Sequence, residues 1–152
     1  MRWKFNFFPA YRGTGARVTY IADDYREVRI RLPLSWRTRN LVGTIYGGSL
    51  YSAVDPIYML MLMRILGRDY VVWDKAASIR FRKPGRTPLF ATFRIDETEV
   101  DAIRALTASG EPIDRVFRID LIDAEGVAHA SVEKTIYVRR KTVVASGATH
   151  EL

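Results

Sequence analysis

The 152 residues carry 24 Lys and Arg against 17 Asp and Glu, a net charge of +7, with 48% hydrophobic residues and no cysteine. That length and apolar content suit one domain with a genuine core, and the missing cysteines exclude a disulfide framework, a thiolate metal site and a cysteine nucleophile. The two histidines, His129 and His150, are too few for a histidine-built metal site, so no metal is expected.

The N-terminal MRWKFNFFPAYRG mixes charge with aromatics and lacks the apolar stretch and small-residue cleavage site of a secretory signal, so a cytoplasmic protein is expected. Arg17–Ile21 and Glu27–Leu32 alternate, with Val28, Ile30 and Leu32 on one side and Glu27, Arg29 and Arg31 on the other. They read as half-buried strands joined by a turn at Ala22, Asp23 and Asp24. Gly47 and Gly48 then close an irregular segment, and Ser49 opens a helix that should run to about Leu66, where Gly67 stops it.

That helix is apolar almost all round, so it should be wrapped on most sides. Its richest stretch, residues 57–63, is far shorter than the ~20 residues of a membrane span and follows Asp55-Pro56, so no membrane partner is expected. Further strands are predicted at about residues 70–81, 88–95, 114–122 and 128–139, and a minor helix at about 98–108 before the turn at Ser109, Gly110, Glu111 and Pro112. In the last strand Ala130, Val132, Ile136 and Val138 share a side, interrupted by Lys134. The predicted fold is α+β: a curved antiparallel sheet of about six strands around one long apolar helix, with additional short helices, in a single domain over residues 1–140. Residues 141–152 read as a loose tail. The open sheet edges favour pairing with another copy.

The segment NLVGTIYGGSLYSAVD, residues 40–55, concentrates the chemistry. Glycines let a ligand approach the backbone, and the unpaired amides of a helix start could stabilise a polarised carbonyl oxygen. Asp55 is the one carboxylate between Leu41 and Met63, and a charge placed among apolar residues needs a reason. It is either a general base or nucleophile beside a bound carbonyl, or a structural acid bonded to backbone such as the Ser52 carbonyl that Pro56 leaves without a donor.

These residues resemble the hotdog-fold thioesterases of the phenylacetate-pathway type, and within them the branch termed domain of unknown function 4442, over roughly residues 11–140. The pattern of that family is an Asn, a His six residues later, two glycines opening the helix, and an acid seven positions after the second glycine. Asn40, Tyr46, Gly47, Gly48 and Asp55 stand in those places, with Tyr46 where the family usually has His. VWDKAA from Val72 and RFRKPGR from Arg80 are similar to the wording of the branch.

The resemblance implies an acyl-thioester hydrolase whose site lies at a dimer interface, the glycine amides of one subunit facing the Asp55 carboxylate of the other. Asn40 and Tyr46 would orient the loop or the substrate. Asp74 stands near the place where the family often keeps a Ser or Thr to position water, unless it merely pairs with Lys75 or an Arg at the surface. Arg80, Arg82, Lys83 and Arg86 surround Pro84-Gly85 and suit the phosphates of coenzyme A, or form an ordinary basic rim. Tyr51, Tyr58 and the methionines at 59, 61 and 63 either line an acyl pocket or pack the core. His129 falls on the polar side of its strand and His150 in the tail, and neither is given a role. The expected partners are an acyl-thioester small molecule and a second copy of the chain, with dimers able to pair into tetramers. No cofactor is expected beyond the coenzyme A carried by the substrate. A non-catalytic acyl-thioester or fatty-acyl binder on the same scaffold is the main rival. Nucleic-acid binding is a weaker one, because the alternation serves a core and no basic run forms a stripe.

Overall fold

Alternation along the chain becomes a sheet with one buried face. The computed structural model describes residues 6–142, so the expected C-terminal tail, beyond Thr142, lies outside the described residues. A short helix α1 (Pro9–Gly13) precedes β1 (Arg17–Ile21) and β2 (Glu27–Leu32). Two helices follow, α2 (Gly47–Val54) and α3 (Ile57–Leu66), then β3 (Tyr70–Phe81), β4 (Leu89–Arg94), α4 (Glu97–Leu106), β5 (Ile113–Ile122) and β6 (Ala128–Arg140). The strands form one curved six-stranded sheet, ordered β1-β2-β4-β5-β6-β3, with every pair antiparallel.

The core lies between this sheet and the α2–α3 rod. Val28, Ile30 and Leu32 of β2 sit opposite Phe93, Ala91 and Leu89 of β4, and all six are buried. Leu50, Ala53, Val54, Ile57, Met61, Leu62 and Leu66 face them from the helices. Each of the Val, Leu, Ile, Phe and Met side chains contributes about 1.5–3 kcal/mol when fully withdrawn from water. α4 begins one residue before the sequence-based boundary because Asp96 caps it, its side chain accepting from the Glu99 amide at 2.8 Å.

The long helix differs from expectation in its start and its wrapping, while its break falls at Pro56, where a missing amide donor is expected to kink it. It starts at Gly47 rather than Ser49, and it is divided at Asp55-Pro56, because proline cannot donate to the Ser52 carbonyl. In a single chain it is also wrapped on one side only. Tyr51, Asp55 and Met59, at helical spacing, are half-buried, and Met63 is exposed. The 20-residue run Gly47–Leu66 has the length and apolar composition of a membrane span, but half of it is buried inside this fold.

A bulge sets the inner face of β3. Asp74 lies opposite Ile136 and Ala77 opposite Lys134, so Lys75 is an extra residue between them. Even-numbered residues before it (Val72, Asp74) and odd-numbered residues after it (Ala77, Ile79, Phe81) therefore share the face of Lys134 and Val132. β1 and β3 are the two edges.

Candidate active site

Asp55 caps the C-terminal end of α2, where the helix is divided, and its carboxyl turns toward the sheet. Its Oδ1 accepts from the Tyr51 hydroxyl at 2.7 Å and from Lys134 Nζ at 2.5 Å. Lys134 Nζ also lies 3.1 Å from Asp74 Oδ1, 3.4 Å from the Tyr51 hydroxyl and 5.4 Å from the Tyr51 ring centre. Lys134 is 1% exposed, whereas the side chains of Asp55 and Asp74 keep 42% and 24% of their surface. The cluster is thus anchored from inside the core and open on its acidic side. The structural alternative for Asp55, a bond to the Ser52 carbonyl, is not what the carboxyl makes: its partners are Tyr51 and Lys134.

Burial alone would lower the Lys134 pKa, but the adjacent carboxylates of Asp55 and Asp74 outweigh it and leave the value raised. The ammonium is therefore charged at neutral pH. Asp74 is shifted upward, chiefly by burial and further by the Asp55 charge, against the opposing pull of Lys134. Tyr51 is shifted upward by burial and by its bond to Asp55, so its hydroxyl stays a donor.

The glycine pair occupies the other end of α2. Tyr46 is the N-cap and gives no side-chain bond, and its carbonyl accepts from Ser49 and Leu50. The Gly47 and Gly48 amides meet no acceptor among the described residues. A Cβ on Gly48 would sit 2.4 Å from the Tyr46 ring, and one on Gly47 3.1 Å from the Phe81 ring, so a side chain at either place would push against an aromatic ring. Eight residues of helix separate Gly47 from Asp55, a rise of about 12 Å. One carbonyl cannot reach both within a single chain.

Asn40 organises the loop ahead of α2. Its Oδ1 accepts from the amides of Val42 and Thr44, and its Nδ2 donates to Thr44 Oγ1 at 2.8 Å. Trp36, Arg39, Asn40, Leu41, Val42 and Tyr46 line an open cleft of about 850 Å³ at this end. The Ile45 amide donates to the Gly85 carbonyl at 2.8 Å, which sets the basic turn against the same loop. Arg80, Arg82, Lys83 and Arg86 are all exposed. Arg82 bonds Ser131 Oγ at 2.7 Å, and the other three have no carboxylate partner among the described residues.

The structure separates the two candidate pocket tyrosines. Tyr51 belongs to the acidic cluster. Tyr58 is in the core, stacked 4.7 Å from Phe117 and edge-on 5.0 Å from Phe93, with its hydroxyl donating to the Arg118 carbonyl and its pKa pushed up to about 12 by burial. Lys75, the sequence-based surface partner for Asp74, instead pairs with Asp114 at 2.7 Å.

Sequence reasoning missed two residues. Lys134 appeared only as a break in the apolar row of β6, and that break was its signal. His129, expected on the polar side, is buried: Nδ1 is 3.1 Å from the Pro84 carbonyl and Nε2 is 2.9 Å from Asp123. The reason is a second irregularity, where Leu121 pairs with Ala130 and Ile122 with Ala128, leaving His129 as the extra residue.

A family model, domain of unknown function 4442, matches residues 2–138. No curated protein matches. The fold resembles that of PA5026 of Pseudomonas aeruginosa, a protein of unknown function described as a probable thioesterase (TM-score 0.80, 18% identity, covering 91% of this chain and 93% of that one). It also resembles thioesterase HI1161 of Haemophilus influenzae (TM-score 0.67, 14% identity, 97% and 91% covered). A protein of unknown function from Chlorobaculum tepidum is similar as well (TM-score 0.73, 12% identity, 92% and 92%). The sheet wrapped around a central helix is the hotdog fold that the sequence pattern implied.

Proposed function

This chain belongs to the family of domain of unknown function 4442, and we propose that it hydrolyses acyl thioesters, coenzyme A thioesters foremost, as a homodimer. The observation that carries the reading is the half-exposed Asp55 carboxylate, held by a buried lysine at the broken end of the helix whose other end presents two glycine amides with no acceptor among the described residues. The ~12 Å between them calls for two copies of the chain, the glycine end of one facing Asp55 of the other. The uncovered stripe of α2–α3 and the open edge of β3 are the surfaces on which such copies would meet.

In this scheme the thioester oxygen accepts from the Gly47 and Gly48 amides, which stabilise negative charge as it develops. Asp55 takes a proton from water while the water oxygen bonds to the carbonyl carbon. Collapse of the tetrahedral intermediate breaks the carbon–sulfur bond, the thiolate leaves and is protonated, and the carboxylic acid is released. Arg80, Lys83 and Arg86, with no carboxylate partner among the described residues, suit the phosphates of coenzyme A. The cleft beside Tyr46 suits the acyl group.

The test is release of free thiol from short-, medium- and long-chain acyl-coenzyme A. Asp55→Asn should lower kcat by about 10²–10⁴-fold with the oligomer intact, the usual worth of a general base. An unchanged kcat in that variant, or a wild type inert toward every thioester, removes the reading. Tyr46 favours one rival, a non-catalytic acyl binder, since its ring covers Gly48 where the pattern has a histidine. That rival gives saturable binding of acyl-coenzyme A without thiol release.

A further inference from the structure

Every other residue on the inward row of β6 is small or apolar: Ala130, Val132, Ile136 and Val138 are all 2% exposed or less. Lys134 is the exception, equally buried. A buried ion pair seldom stabilises a fold more than well-packed apolar side chains of the same volume would. The expense of desolvating this ammonium therefore calls for a purpose outside packing.

The geometry of the contacts supplies one. Both donors to Asp55, the Tyr51 hydroxyl and the Lys134 ammonium, converge on the same oxygen, Oδ1. Oδ2 is left with no partner among the described residues, on a side chain that keeps 42% of its surface. Asp74 Oδ1 is buried and lies 3.1 Å from the ammonium, yet it receives no aligned hydrogen bond.

We infer that Lys134 is a positioning residue that, together with Tyr51, occupies Oδ1 of Asp55, so that Oδ2 alone takes the proton from water, while Asp74 keeps the ammonium paired once Asp55 is neutral. The inference rests on the hydrolase reading. The step balances without any co-reactant: the water O–H breaks, the proton lands on Oδ2, and the water oxygen joins the carbonyl carbon. As the negative charge of Asp55 disappears, Lys134 gains its second carboxylate as the nearer counter-charge, so no bare cation is left in the core. The same proton later leaves with the thiol.

Steady-state kinetics of the full-length protein on the best acyl-coenzyme A substrate separates this role from a structural one. Lys134→Met should lower kcat by roughly 100-fold and Tyr51→Phe by roughly 10-fold, both with KM within about threefold of wild type. Adding Lys134→Met to Asp55→Asn should cost nothing further, because Lys134 acts only through the Asp55 carboxylate that Asp55→Asn has already removed. Asp74→Asn should also lower kcat with KM unchanged. If Lys134→Met does not fold, as circular dichroism would reveal, Tyr51→Phe carries the test, since it removes a donor without unbalancing charge. A normal kcat in Tyr51→Phe and Asp74→Asn while Asp55→Asn is dead overturns the inference and leaves the hydrolase reading standing. A fully active Asp55→Asn overturns that reading instead.

Discussion

Two carboxylates respond to acid in opposite directions. Asp123 is held below its ordinary value of 3.8, first by the His129 ring and then by the Val127 amide, so it contributes stability above that value and loses it as pH falls through the lowered one. Asp74, raised by burial, has the reverse sign: the fold loses stability as pH climbs from 3.8 through the raised value. Asp123→Asn should therefore lower the melting temperature near neutral pH, with the gap to wild type closing as pH falls below 3.8. A gap that stays open at pH 2–3 would mean that the His129 contact is not the source. Asp55 stood out in sequence because a carboxylate in an apolar run needs an explanation. Lys134 did not, since a lone break in an alternating strand is as often a surface slip as a site.

Pro56 shapes the α2–α3 rod. Its missing amide ends α2 at Val54 and leaves Asp55 at the joint, where its carboxyl meets Lys134 across 79 residues of sequence. Pro56→Ala should join the two helices and raise stability by roughly 1–3 kcal/mol, toward the cost of proline in a helix interior. It should also lower kcat roughly 10–100-fold as the straightened rod carries the carboxyl off Lys134. Thermal denaturation and thiol release measure the two effects, and a variant that gains stability at full activity would show that the break plays no part in placing Asp55. Element boundaries were largely readable: β1, β2 and β3 begin and end where alternation and turn residues put them. The bulges at Lys75 and His129 were not, because an extra residue changes which side chains share a face without changing composition.

For the molecule as a whole, the exposed stripe on the central helix is the telling surface. Met63 is 46% exposed in a single chain. Met63→Asp should thus leave the folded chain within about 1 kcal/mol of wild type but weaken association and, with it, hydrolysis. Sedimentation velocity reads the first and thiol release the second. A variant that remains dimeric would place the contact elsewhere, with the β3 edge next to be probed.

The sequence alone determined that this chain folds as an antiparallel sheet around an apolar helix, because side-chain periodicity and turn chemistry are local. It also singled out Asp55 and the glycine pair, since an isolated acid and a two-glycine helix start are local anomalies. Only the tertiary structure decided the charged partner of that acid. Lys134 reaches it from β6 and is flanked by Asp74 of β3, which a bulge aligns, and a contact between residues so far apart in the chain depends on strand register, which no local pattern encodes.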